Sequence, residues 1–216
     1  MPKNFRNIAV VSLSTVGSRV LGLVRDILIF AALGTSIWNS AFILAFTLPN
    51  LFRRLLGEGA LTSAVVPVFT DVLKSQGREA AFQFFTQVLL RVCVLLLATV
   101  SGGVGILAIL KSFGILSERW ALGADLSVML LPYMIFICLA ALTPVLLNLT
   151  MIAALTAAWF MDSEDRQTVY LLCGGVLFGG ILQLALPAWD LIRQGWRPNL
   201  STESSESLRQ VWTLFL

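Results

Sequence analysis

The sequence predicts an all-α membrane protein, a polytopic bundle of about six transmembrane helices. Hydrophobic residues make up 57% of the 216 residues, and charged residues make up only 12%. The charged share is about half of that in soluble domains, and the mean hydropathy is +0.87. The apolar residues form long continuous runs, whereas a transmembrane β-barrel shows short segments of alternating polarity.

Breaks in the apolar runs divide the chain into helices and loops. The predicted spans cover residues 8–33, 38–56, 82–110, 126–142, 145–161 and 169–189. A short amphipathic piece follows the second span, and loops are predicted at Asp71–Glu79 and Lys111–Asp125. The spans form a transmembrane domain over residues 1–190. Residues 191–216 form a polar cytoplasmic tail that ends in the start of a truncated seventh helix.

The apolar region 126–161 has two interpretations, a single crossing or a hairpin. Pro132 and Pro144 interrupt it, and proline does not continue an ideal helix. Cytoplasmic loops of membrane proteins carry an excess of Lys and Arg. A hairpin with a cytoplasmic N-terminus leaves only Lys111, Arg119 and Arg166 on the outer side. The charge distribution therefore favours the hairpin, and the basic start without a cleavage site predicts a retained first span.

The residue types required for several kinds of chemistry are missing from the sequence. It contains no His, and its three Cys lie within apolar runs without a paired spacing. We therefore expect no catalytic residues and no metal site. The segment Gly57–Ala60 lacks the Lys of a phosphate-binding loop, so no ATP or other cofactor is implied. We expect neither an enzyme nor a nucleic-acid partner.

Six ionisable residues lie within or beside the first two apolar runs. They are Arg19, Arg25, Asp26, Arg53, Arg54 and Glu58. Each costs about 2.5–3.5 kcal/mol in hydrocarbon on the permissive insertion scales, so they indicate a polar cavity. Arginine binds phosphate oxygens in a bidentate manner, and four Arg with two acids suit an anion with several oxygens. Two alternatives remain open. Arg53 and Arg54 could be topology anchors, and Asp26 could be only an internal counter-ion.

Two further motifs have structural interpretations. The spacing Gly175-x-x-x-Gly179 predicts close helix packing. The triplet Asn148-Leu149-Thr150 matches a glycosylation pattern, but it lies in an apolar run and is discounted.

Several segments together resemble the MurJ (MviN) family of lipid II flippases. They are Ser18–Gly22, Arg25-Asp26, Ala41-Phe42, Pro49-Asn50, Arg53-Arg54, Glu58–Ala60 and Val66–Phe69. The resemblance implies the N-terminal lobe of a fourteen-helix multidrug/oligosaccharidyl-lipid/polysaccharide exporter in the bacterial inner membrane. It also implies export of the lipid-linked peptidoglycan precursor by alternating access, with membrane lipids around the protein. Membrane potential or an ion gradient would supply the energy.

The resemblance also implies roles for individual residues. Arg19, Arg25, Arg53, Arg54 and Ser18 would bind the pyrophosphate, and Asp26 and Glu58 would act as pairing or gating partners. The sequence departs from the family pattern at Ser40, where the family has Asp, and by an apparent internal deletion near 142–144. Because the family cavity lies between two lobes, activity would require a second lobe from another chain or from a homo-oligomer.

Two other functions remain open at this stage. The chain could be a truncated, non-transporting membrane protein that binds anionic lipid or serves as an assembly partner. It could also be a related exporter that moves another polyprenyl-diphosphate glycan. No residue in the sequence indicates recognition of the sugar or the peptide of the lipid-linked precursor.

Overall fold

The chain is all-helical over the 3–53, 61–139 and 144–197 ranges that the computed structural model describes. These ranges contain seven α-helices and no strand, which confirms the predicted fold class. The helices are α1 (Lys3–Leu33), α2 (Ile37–Phe52), α3 (Leu61–Ser75), α4 (Arg78–Ser112), α5 (Glu118–Leu139), α6 (Pro144–Phe160) and α7 (Asp165–Arg193).

Both predicted loops are longer than the loops of the structure. Most polar residues of the first predicted loop, Asp71–Glu79, lie in helices. Their side chains are exposed, and no glycine or proline interrupts this segment before Gly77, so a helix can continue through it. At Gly77 the backbone φ is 88°, a conformation that favours glycine, and α4 begins at the next residue. The second loop is confined to residues 113–117, because Gly114 adopts a φ of 64° and α5 then begins at Glu118.

The seven helices pack around α5 and α7. Helix α5 contacts α2, α4 and α7, whereas α6 packs along α7 and α1, and α3 packs along α4. The core between them is apolar. Its largest fully buried hydrophobic side chains are Tyr133, Phe42, Leu96, Leu126, Leu130, Met134, Met151 and Leu172. The polar functional groups therefore lie in a bundle that is otherwise held together by apolar packing.

Contacts between the helices show the direction in which each one runs. Lys111 near the end of α4 pairs with Asp125 near the start of α5, with Nζ and Oδ1 2.5 Å apart. Arg78 at the start of α4 donates to the carbonyl of Gln194, just after α7. Helix α4 is therefore antiparallel to both α5 and α7. The glycine contacts of α7 show that α6 is also antiparallel to α7. Helices α5 and α6 therefore run in opposite directions, as a hairpin requires.

Glycines on α7 allow α6 to approach closely. A Cβ atom on Gly175 would lie 2.9 Å from the Cβ of Ala154, and one on Gly179 would lie 3.2 Å from the Cα of Leu147. Distances this short leave no room for a methyl group. The helix packing predicted from the Gly175-x-x-x-Gly179 spacing is therefore confirmed.

Three of the described helices are long and apolar enough to cross a membrane. They are Arg78–Ser112, Trp120–Leu139 and Asp165–Arg193. Ile37–Phe52 and Val145–Phe160 are apolar but shorter. The chain is thus a helical membrane protein, and the six-span arrangement with its domain boundary at residue 190 stays a prediction. Helices corresponding to all six predicted spans are present, including α1.

Candidate functional site

The best-defined polar group of the first helix is the guanidinium of Arg25. It lies in the second half of α1 with a side-chain exposure of 19%. Its Nε and Nη2 donate to Oδ1 of the neighbouring Asp26 over 2.9 and 2.6 Å. Its Nη1 donates to Oδ1 of Asn148 over 2.9 Å. The structure therefore identifies Asp26 as the counter-ion of Arg25.

Asn148 connects this arginine to a second helix. It lies on α6, is only 5% exposed, and its Nδ2 donates to the backbone carbonyl of Ser18 over 3.1 Å. A Cβ atom on Gly22 would lie 3.6 Å from this Nδ2, so the amide passes directly over the glycine. Both ends of the buried amide are hydrogen-bonded, which offsets the cost of removing it from water.

The hydrogen bonds of Arg25 leave part of its binding capacity available. A guanidinium carries five N–H donors, and the contacts to Asp26 and Asn148 use three of them. Among the described residues, one N–H of Nη1 and one of Nη2 have no hydrogen-bond partner. Two N–H groups on neighbouring nitrogens can bind two oxygens of one phosphate. We therefore expect Arg25, although held in place, to be able to bind an anion.

Arg19 and Asp26 lie on the same edge of α1, because seven residues are about two helical turns. Both are exposed, and the side chain of Asp26 is 62% exposed. Beside this edge runs an exposed apolar stripe on α1 formed by Val16, Val20, Leu23, Ile27 and Phe30. Ionised groups avoid direct contact with hydrocarbon. The charged edge therefore requires water or protein against it.

Arg53 lies immediately after α2 and is half-buried. Helix α2 packs along α5, which carries Tyr133. Tyr133 is fully buried, and its ring stacks on Phe46 with the centroids 6.1 Å apart. The described residues offer this hydroxyl no hydrogen-bond partner.

The structure describes five of the seven residues assigned to the site from sequence. It brings the Ser18 carbonyl, Arg25 and Asp26 into one network with Asn148, and it places Arg53 at the end of α2. Arg19 is exposed on the edge of α1, and no residue in the described part of the chain pairs with it. Arg54 and Glu58 lie outside the described residues. Their predicted functions in substrate binding and gating all stay predictions.

Sequence reasoning missed Asn148 and Tyr133 as parts of this region. The sequence pattern around Asn148 indicates only a discounted glycosylation triplet. The available signal was a side-chain amide in an apolar helix, because such groups must find partners inside the protein. Among the described residues, no group of His, Cys, Asp and Glu could hold a metal ion.

Comparison with known proteins decides the family. The family model described as "Lipid II flippase MurJ" matches residues 29–216. The chain belongs to this family. A probable lipid II flippase MurJ from Rhizobium tropici is 33% identical over 195 residues, which cover 80% of this chain and 37% of the relative. The lipid II flippase MurJ from Burkholderia cenocepacia is 32% identical over 237 residues, which cover 95% and 43% of the two chains.

The comparisons also describe the extent of this MurJ-family chain. It spans about two-fifths of the length of the curated relatives that it matches. The alignment with the Burkholderia protein is 237 positions long, more than the 216 residues of this chain, so that relative contains residues missing here. The position of the apparent internal deletion near residues 142–144 stays a prediction.

A solved structure shares the fold of this chain. It is titled "Lipid II flippase MurJ, inward closed conformation" and superimposes with a TM-score of 0.69 at 24% identity. The match covers 94% of this chain and 46% of the solved one.

Proposed function

We propose that the chain is the N-terminal part of a transporter that moves lipid II across the bacterial inner membrane by alternating access. Family membership supports the substrate class, because the matching family and its relatives are named for lipid II flipping. The observation that carries the proposal is the Arg25 guanidinium, which is held by Asp26 and Asn148 with two N–H groups still available.

The pyrophosphate of lipid II is the group that these charges would bind. Arg25 lies on α1, Arg53 follows α2, and Arg19 lies on the same helix as Arg25. Arg54 and the Ser18 side chain would complete the cationic site. Asp26 and Glu58 would compete with the phosphates for the arginines, so they would act as pairing or gating groups. Because of this competition, the acids would pair with the arginines again when the anion leaves. No unpaired positive charge would then remain in the membrane.

The distribution of basic residues supports a cytoplasmic N-terminus. Arg78 and Arg193 lie at one end of the bundle, where α4 begins and α7 ends. The opposite end carries Lys111 and Arg166 together with several acids, namely Asp125, Asp162, Glu164 and Asp165. By the positive-inside rule, the end with Arg78 and Arg193 faces the cytoplasm. The protein acts as a transporter and not as an enzyme, and the energy comes from the membrane potential or an ion gradient.

The proposed cavity lies between two lobes, so its other side must be supplied by a second lobe. The exposed charged edge of α1 needs a polar neighbour, which a second lobe would provide. This lobe could be the C-terminal part of a related transporter or a second copy of the chain. Rocking of two halves against each other is the general mechanism of such carriers.

Complementation in bacteria tests the proposal. Cells depleted of their own flippase would express this chain alone, or with the remaining C-terminal portion of the Burkholderia cenocepacia relative. We expect survival with the second lobe, and loss of survival when Arg25 is changed to Ala. Survival with the chain alone would identify a homo-oligomer as the active form. Death under both conditions, with both proteins present in the membrane, would instead indicate a non-transporting membrane protein.

A further inference from the structure

We propose that Asn148 is a positioning residue that orients the guanidinium of Arg25 for the diphosphate of the substrate. This proposal rests on the proposed function, and it assigns a role to a helix, α6, that contributes no charge to the site. Asn148 acts through Arg25 and need not touch the substrate itself.

The contacts show why Arg25 depends on this residue. Asp26 is the neighbour of Arg25 in the chain, so the pair moves as one unit with α1. Among the contacts of the described residues, the 2.9 Å bond to Asn148 is the one hydrogen bond that ties the guanidinium to another helix. The second bond, from Nδ2 to the Ser18 carbonyl, fixes the amide against α1. Arg25 is thus held on two sides, by Asp26 and by Asn148.

The chemistry of an amide suits this position. Asn148 accepts a hydrogen bond from the arginine without adding a negative charge. A carboxylate at the same place would give Arg25 two anionic partners and would repel a diphosphate. A hydrophobic residue would leave the guanidinium held by Asp26 alone.

The burial of Asn148 indicates a specific role. It is the one buried polar residue of α6 within the described chain, and the other buried residues of that helix are apolar. An amide in such surroundings is unfavourable unless both of its ends are satisfied. Here both ends are satisfied, and both partners belong to the segment of α1 that carries the candidate site.

Binding of undecaprenyl diphosphate to the full 216-residue chain in lipid nanodiscs tests the inference. The dissociation constant would be measured for the unchanged chain, for Asn148→Leu, for Arg25→Ala and for the double variant. Leucine is similar to asparagine in shape, so the first variant keeps the packing and removes both hydrogen bonds. Thr86→Val is the matched control. It removes the acceptor of a buried hydrogen bond that Trp196, in the chain segment after α7, donates to Thr86. Both residues are far along the chain from Arg25.

We expect Asn148→Leu to weaken binding by about ten-fold, because hydrogen bonds to charged groups are the stronger class. We expect the double variant to bind no more weakly than Arg25→Ala alone, since Asn148 acts through that arginine. Thr86→Val should leave the dissociation constant unchanged. Asn148→Asp should weaken binding at least as much as Asn148→Leu, because its added charge opposes the diphosphate.

The possible failures are distinguishable. If Arg25→Ala weakens binding and Asn148→Leu does not, the positioning role is wrong and the proposed function stands. If the effects of the two variants multiply in the double variant, Asn148 acts independently of Arg25 and the inference is also wrong. If Arg25→Ala leaves binding unchanged, the proposed diphosphate site itself is wrong. Asn148→Ser replaces the leucine variant if the latter does not purify as a folded protein.

Discussion

Replacing Gly180 with alanine tests the close packing that holds α5 against α7. A Cβ atom at this position would lie 2.7 Å from Cδ2 of Tyr133 and 3.1 Å from the Cβ of Phe136. The tyrosine ring has little freedom to move away, because it is fully buried and stacked on Phe46. Inserting a methylene into a packed core costs about 1–3 kcal/mol. The better helix propensity of alanine returns up to about 1 kcal/mol.

We therefore expect Gly180→Ala to lower the free energy of unfolding by up to about 2 kcal/mol, which is the packing cost less the full gain in helix propensity. Gly174→Ala is the matched control on the same helix, because nothing lies within 4 Å of its added Cβ. The assay is unfolding by sodium dodecyl sulfate in mixed micelles, followed by circular dichroism. Equal stability of the two variants would refute the packing argument.

Substitutions at four further positions test the site and its surroundings. Arg53→Ala should abolish transport in the two-lobe complementation assay, whereas Arg91→Ala, on α4, should have a mild effect. Gly22→Ala should be tolerated, because the methyl group would contact the Asn148 amide at 3.6 Å, but Gly22→Val should displace that amide and weaken diphosphate binding several-fold. Thr86→Val should destabilise the fold by about 1–3 kcal/mol, measured by the same detergent unfolding. It removes the bond that Thr86 donates to the Phe82 carbonyl, and it leaves the buried indole N–H of Trp196 without its acceptor.

The arrangement of charges explains how such a protein can hold an anion site in a membrane. Arg25 would be too costly as an isolated charge in hydrocarbon. Its pairing with Asp26 makes these two residues together close to neutral, and the amide of Asn148 adds a hydrogen bond without changing this balance. We expect a diphosphate to bind the two remaining N–H groups and the neighbouring cations. The pairing with Asp26 would then stabilise Arg25 when no anion is bound.

The sequence by itself determined the fold class and the composition of the charged cluster. Continuous apolar runs allow only helices in a membrane, because every backbone polar group must be satisfied within its own segment. The Gly175-x-x-x-Gly179 spacing was also sufficient to predict close packing, since glycine removes the side chain that would keep two helices apart. The motifs around Arg19, Arg25 and Arg53 were sufficient to indicate the family.

Only the tertiary structure decided which partners the charges have. Arg25 and Asp26 are adjacent in the chain, and simple helical geometry points their side chains about 100° apart. The structure nevertheless pairs them, because the long arginine side chain bends back to the carboxylate. Asn148 lies 123 residues from Arg25, and no local pattern relates positions so far apart. Their contact depends on the packing of α6 along α1, which side chains on both helices determine together.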